Sequence, residues 1–167
     1  MDGGVSMAGS DAPRGYLGLA AWLAGCVGGG ALVGIATSGG DSVWYESLTK
    51  PSWTPPDAVF APVWTALYAA MAVAAWRVWR KGGWDTHRVA LTLFLGQLAL
   101  NFAWSFIFFG VRQIGWALAD IVMLWILIAM TIRRFAAIDR LASWLLGPYL
   151  AWVTYAAALN AEIYRLQ

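Results

Sequence analysis

The 167 residues are 60% hydrophobic and only 12% charged, which is far more apolar surface than a soluble domain of that length can bury. A net charge of +2 is too small to imply nucleic acid, and the basic residues are not interleaved with aromatics on a soluble face. The single cysteine, Cys26, excludes a disulfide framework and a Cys-x-x-Cys-His haem attachment.

Met1 to Pro13 is rich in Gly, Ser and Ala, carries Asp2 and Asp11, and reads as a short disordered tail (residues 1–13) ahead of one membrane domain (residues 14–167). It lacks the basic start of a cleaved signal peptide. Crossing the hydrocarbon takes about 20 apolar residues in a helix. Five segments meet that length: Gly15 to Ala36, Val59 to Trp76, Val89 to Phe109, Gln113 to Ile132 and Ala142 to Asn160. Their all-round apolar character, with Gly and Pro between them, argues for helices; strands of a membrane barrel would alternate over about ten residues. The expected fold is therefore an all-α integral membrane protein, a five-helix transmembrane bundle with a long aromatic loop between helices one and two.

The first span carries Gly25, Gly28, Gly29, Gly30 and Gly34. Gly25/Gly29 and Gly30/Gly34 are small-xxx-small pairs that let another helix approach closely, inside the bundle or across a dimer. Gly39 to Asp57 is the longest loop and holds Trp44, Tyr45, Leu48 and Trp53. So apolar a loop does not sit in water; it folds over something, as a lid over a cavity or as a cap lying in the interface.

Pro51 and the pair Pro55-Pro56 cannot continue a helix and fix the entry into the second span. Phe60, Trp64 and Tyr68 follow at intervals of four, on one helical stripe. A rigid aromatic stripe under a stiff loop, with Trp53 beside it, suits a flat apolar ligand with a polar edge. In the third span Asn101, Trp104, Ser105 and Phe108 share a face, with Gln97 one turn earlier. An amide at that depth must point into the bundle, bonding either a neighbouring helix or a ligand. Asp120 in the fourth span is the one acid well inside a segment, where an ionised carboxylate costs about 2.5–3.5 kcal/mol. In the fifth, Trp152, Ala156 and Leu159/Asn160 share a face, with Pro148 near its start.

Twelve tryptophans divide between the two environments. Trp79, Trp84, Trp116 and Trp144 fall at segment ends, where interfacial anchors belong. Trp64, Trp104, Trp125 and Trp152 fall within spans or toward helix ends, and a buried indole N–H needs a partner. No nucleophile–base pair, phosphate loop or metal cluster is legible; the lone His87 sits in a basic loop. Eight of the eleven basic residues must lie on one side of a five-span chain, leaving Lys50, Arg112 and Arg165 on the other. That bias places the N-terminus in the cytoplasm.

Several motifs now stand in order: Trp44-Tyr45 with Leu48, Lys50-Pro51, Trp53-x-Pro55-Pro56 and Phe60-x-Pro62-x-Trp64-Thr65-x-Leu67-Tyr68. They continue with Gln97-Leu98-x-Leu100-Asn101-x-x-Trp104-Ser105, Phe108-Phe109-Gly110 and Ala117-Leu118 with Asp120. Pro148-Tyr149-Leu150-x-Trp152 and Leu159-Asn160 complete the series. Together they resemble the translocator protein family (TspO/MBR, tryptophan-rich sensory proteins or peripheral-type benzodiazepine receptors). The resemblance implies a pocket near loop one that binds porphyrins, sterols or drug-like ligands, in a chain that commonly forms homodimers. By motif, the ligand-binding residues would be Trp53, Phe60, Trp64, Tyr68, Asn101, Trp104, Trp152, Ala156 and Leu159. Aromatic stacking would hold the ring and Asn101 would orient a polar edge.

The expected function is a membrane receptor or sensor of protoporphyrin-type tetrapyrroles, with no obligatory cofactor and porphyrin as the ligand, in a bacterial-type cell membrane. The alternatives are a porphyrin or sterol transporter and a catalyst of light-dependent porphyrin oxidation. Two positions depart from the family pattern. Tyr164 is followed directly by Arg165, so the strict cholesterol consensus fails, and Ala58 stands where some relatives carry a tryptophan tied to photochemistry.

Overall fold

The computed structural model describes residues 13–37 and 41–167; the tail expected over residues 1–13 lies almost wholly outside them. Among the described residues every regular element is helical. The long helices are α1 (Gly15–Thr37), α3 (Asp57–Arg80), α4 (Gly83–Gly110) and α5 (Ile114–Ala136), each long and apolar enough to cross a membrane. Loop one contains a short helix, α2 (Asp41–Ser47). The last segment is broken: α6 (Arg140–Leu145) and α7 (Gly147–Leu166) meet at Leu146, with Pro148 in the first turn of α7. Proline belongs there, because its missing N–H falls where a helix has no partner for one.

Two boundaries differ from the expected ones for a shared reason. Arg77 and Arg80, beyond the expected end of the second span, belong to a helix because α3 runs on to Arg80, and α4 begins at Gly83, with His87, expected in a loop, at a kink inside it where φ is −117° and ψ 27°. Long basic side chains can reach water while their backbone stays helical, so charge marks a membrane surface better than a helix end. The turn itself is set by Gly83, whose φ of 66° suits glycine.

The helices close a ring in which α1 packs on α3 and α4, α3 on the α6–α7 pair, and α5 on both α4 and α7. Small Ala72, Ala74 and Ala75 allow α3 to sit centrally, and with Met71 and Val78 they are fully buried. The glycines of α1 divide. A Cβ at Gly29 would meet the Phe102 ring at 2.8 Å, and one at Gly30 would collide with the Tyr68 ring, whereas Gly25, Gly28 and Gly34 face open space. Gly18 likewise receives Trp79, which packs on the bundle instead of standing free at its surface.

At the end away from loop one, Asp139 ties three elements. Its carboxylate caps α6 through the Ala142 N–H (3.0 Å), accepts from Arg77 (2.9 Å) and pairs with Lys81 (3.1 Å). Burial alone would raise its pKa, but the Ala142 N–H and the two cations outweigh that and push it down to about 2. A depressed carboxylate pKa supplies stability above the unfolded value of 3.8 that is lost as the pH falls through about 2. We expect Asp139→Asn to cost about 2 kcal/mol at pH 7. Thermal unfolding in detergent should also show the two proteins converging as the pH falls from about 4 toward 2; a constant gap between them would contradict this account.

Candidate functional site

The site sits between the helices beneath loop one. Prolines stiffen the approach, with Thr54 closing a turn on the Pro51 carbonyl at 3.0 Å (N–H) and 2.8 Å (hydroxyl). The lid is pinned at its far end by aromatic contacts: Trp44 meets Phe108 at 5.7 Å between centroids, and Tyr45 meets Phe109 at 5.8 Å. The Tyr155 hydroxyl donates to the Trp53 carbonyl (2.7 Å), and the Gln167 amide donates to the Thr49 carbonyl (3.3 Å), so α7 holds the near end. Phe108 and Phe109 lie in a widened π turn, Phe106–Gly110, where Val111 N–H reaches back five residues to Phe106. Such a turn changes the angular phase of the residues in it, and here Phe108 and Phe109 both contact the lid.

Beneath the lid lie two adjoining cavities that share wall residues. One, of about 310 Å³, is bounded by Tyr45, Phe108, Tyr155 and Leu159 on the lid side. The other, of about 380 Å³, extends toward α1 and is bounded by Gly30, Trp64 and Tyr68. Phe60, Trp104, Phe109, Trp152 and Ala156 line both. Gly34 also lines both, so the second pair of the glycine motif serves one contact and one open wall.

Seven of the nine expected residues therefore stand on the walls. Trp53 and Asn101 do not. Trp53 is 45% exposed and stacks edge-on against Tyr155 at 5.5 Å, outside the cavities. Asn101 is buried behind the wall, its Oδ1 accepting from the Tyr68 hydroxyl at 2.5 Å. This amide positions an aromatic ring; it does not reach the cavity. Gln97 acts in parallel, accepting from the Tyr149 hydroxyl at 2.8 Å.

The Gln97 Nε2 is buried without a partner among the described residues, whereas the Trp104–Asn160 pair is satisfied. Trp104 Nε1 donates to Asn160 Oδ1 (3.1 Å), and the Asn160 amide donates to the Ile114 carbonyl (3.0 Å). Trp152 is unpaired on a cavity wall: its ring meets Phe60 at 5.9 Å and stacks on Tyr155 at 5.8 Å, but its buried Nε1 has no acceptor among the described residues. A buried indole N–H without a partner on a cavity wall is a vacant donor. Outside the membrane spans, burial first, then Asp57 and Tyr155, hold the Tyr45 phenol above its ordinary pKa, so it stays protonated.

Several wall residues escaped the sequence argument. Tyr155 lies three residues after Trp152, a helical spacing that would have found it. Phe109 enters through the widened turn, which no periodicity reveals. Asp57 stands on one wall as the only charged side chain among the described residues that line either cavity. Asp120 is elsewhere, lining an outer groove with Trp116 and Gln113, with one buried carboxylate oxygen unpaired. Trp125, expected inside a span, is 39% exposed and donates to Thr154 at 2.8 Å across the α5–α7 seam.

An arrangement of this kind can clamp a flat apolar body between rings and meet one polar edge. Comparison with known proteins places it. Residues 22–165 match the TspO/MBR family. The translocator protein of Sus scrofa is 46% identical over 124 residues, 73% of each chain. The tryptophan-rich protein TspO of Chlorobaculum tepidum is 44% identical over 152 residues, 86% of this chain and 94% of its own. The tryptophan-rich sensory protein of Cereibacter sphaeroides is 42% identical over 123 residues, 74% and 76%. On its cavity-lining motifs and on these likenesses alike, this multi-pass membrane chain belongs to the TspO/MBR family.

Proposed function

We propose that this chain is a five-span membrane receptor or sensor that binds protoporphyrin-type tetrapyrroles between its helices, under loop one as a lid. The observation that carries this reading is the aromatic enclosure: Phe60, Trp64, Tyr68, Trp104 and Trp152 wall the adjoining cavities, with Trp152 Nε1 a vacant donor. In this reading α7, with the α6 turn before it, forms the fifth span. The N-terminus faces the cytoplasm of a bacterial-type cell, the lid faces outward, and the chain pairs with a second copy. Lys50, Arg112 and the C-terminus do gather at one end of the bundle, and Arg77 and Lys81 at the other. Titrating the purified protein in detergent with protoporphyrin should quench tryptophan fluorescence saturably at one ligand per chain. Linear, unsaturable quenching would reject the receptor reading.

A second reading, catalysis of light-driven porphyrin oxidation, draws on a line of rings from the cavity to the surface. Phe60, Trp152, Tyr155 and Trp53 follow one another at 5.9, 5.8 and 5.5 Å. Illuminated protoporphyrin that is lost no faster with the protein than without it removes that reading.

A further inference from the structure

Among the described residues neither cavity wall carries a cation, and the one charge on them is the Asp57 carboxylate, which repels acidic groups. Two cations stand outside, on the aromatic residues of the lid. Lys50 Nζ lies 4.2 Å from the centre of the Tyr45 ring, and the Arg112 guanidinium lies 5.8 Å from that of Trp44. Tyr45 is itself a cavity wall, and both rings rest on Phe108. Among the described residues neither cation has a carboxylate partner, although Arg77, Lys81 and Arg165 each have one. Arg112 also holds a φ of 60°, a left-handed conformation that non-glycine residues adopt only where surroundings impose it.

We propose that Lys50 and Arg112 form an anion subsite at the mouth of the cavity, which takes the carboxylates of a bound tetrapyrrole. The proposal rests on the reading that the cavities hold such a ring, and it fixes the pose. The uncharged edge goes in first, toward Trp152, and the acidic edge stays at the lid. Solvation sets this polarity. A carboxylate drawn into an uncharged aromatic wall loses its water and gains no cation, whereas at the mouth it keeps water and meets two cations. Ionic attraction at an exposed rim is modest and screened by salt, so it discriminates between ligands more than it adds affinity.

The test compares protoporphyrin with its dimethyl ester, which has the same ring and no charge, on the full-length protein in detergent. For Lys50→Gln/Arg112→Gln the diacid should bind about tenfold more weakly and the diester unchanged, and the wild-type preference for the diacid should fade in high salt. Lys50→Arg/Arg112→Lys should retain diacid binding, because charge and not side-chain shape is at issue. Equal losses for acid and ester would show that the cations only pack the lid, and no loss for either would show that the acids lie elsewhere; both outcomes overturn the subsite. If neither porphyrin binds the wild-type protein, the receptor reading fails instead.

Discussion

Replacing Trp152 with alanine is expected to weaken protoporphyrin binding by more than tenfold. Trp152 is a wall of both cavities, stacks on Tyr155 and meets Phe60, and among the described residues offers the one buried indole N–H without an acceptor. Central, desolvated tryptophans of this kind typically account for about 2 kcal/mol or more when truncated. Trp152→Phe separates the two contributions: it keeps a ring and removes the N–H, so its affinity should fall between wild type and Trp152→Ala. Trp116→Ala and Trp144→Ala serve as controls, since each of those residues is 72% exposed and lines neither cavity. If all four variants quench like wild type, the cavity is not the ligand site.

Asn101→Ala should behave differently from Trp152→Ala. It strands the buried Tyr68 hydroxyl, a loss of about 1–3 kcal/mol, so unfolding should come earlier and ligand affinity should change only as far as the Tyr68 ring shifts. Equal unfolding temperatures with a tenfold affinity loss would instead place the amide on the ligand.

The second large effect is expected at Gly30. A Cβ there collides with the Tyr68 ring, and that ring cannot easily move, being bonded to Asn101 and stacked on Trp64 at 5.4 Å. Overpacking in a tight core costs about 1–3 kcal/mol, and more where the neighbour is fixed, so Gly30→Leu should lower the unfolding temperature markedly and deform the cavity beside α1. Gly25→Leu, in the other small-xxx-small pair of the same helix, points into open space and should be tolerated. Equal destabilisation by the two would falsify the assignment of Gly30 to the α1–α3 contact.

Much of this architecture could be read from residue types in order. Four of the five expected spans correspond to helices whose length and composition suit a bilayer, because burial in hydrocarbon requires a continuous apolar run and a closed set of backbone bonds. The fifth segment is less apolar, with Thr154, Asn160, Glu162 and Arg165 along it, and Leu146 breaks it into two pieces. Spacing also found the inward stripe Phe60–Trp64–Tyr68 and the Trp152–Ala156 face, since residues four apart share one side of any helix.

Which partner each residue meets lay beyond that reach. Asn101 and Trp104 share a helical face, yet one bonds Tyr68 behind the wall and the other lines the cavity. Gly29 and Gly30 meet rings of α4 and α3, while Gly25 and Gly34 meet nothing. The chain alone determined that this protein crosses the membrane as helices and which faces of them are aromatic, because those properties depend on periodicity and transfer free energy within one segment. Only the tertiary structure decided that Trp152 keeps a vacant N–H, that Trp53 stands outside, and that Lys50 and Arg112 lie over the rings of Tyr45 and Trp44. Those outcomes depend on distances between segments far apart in sequence, which helix packing sets and no local pattern records.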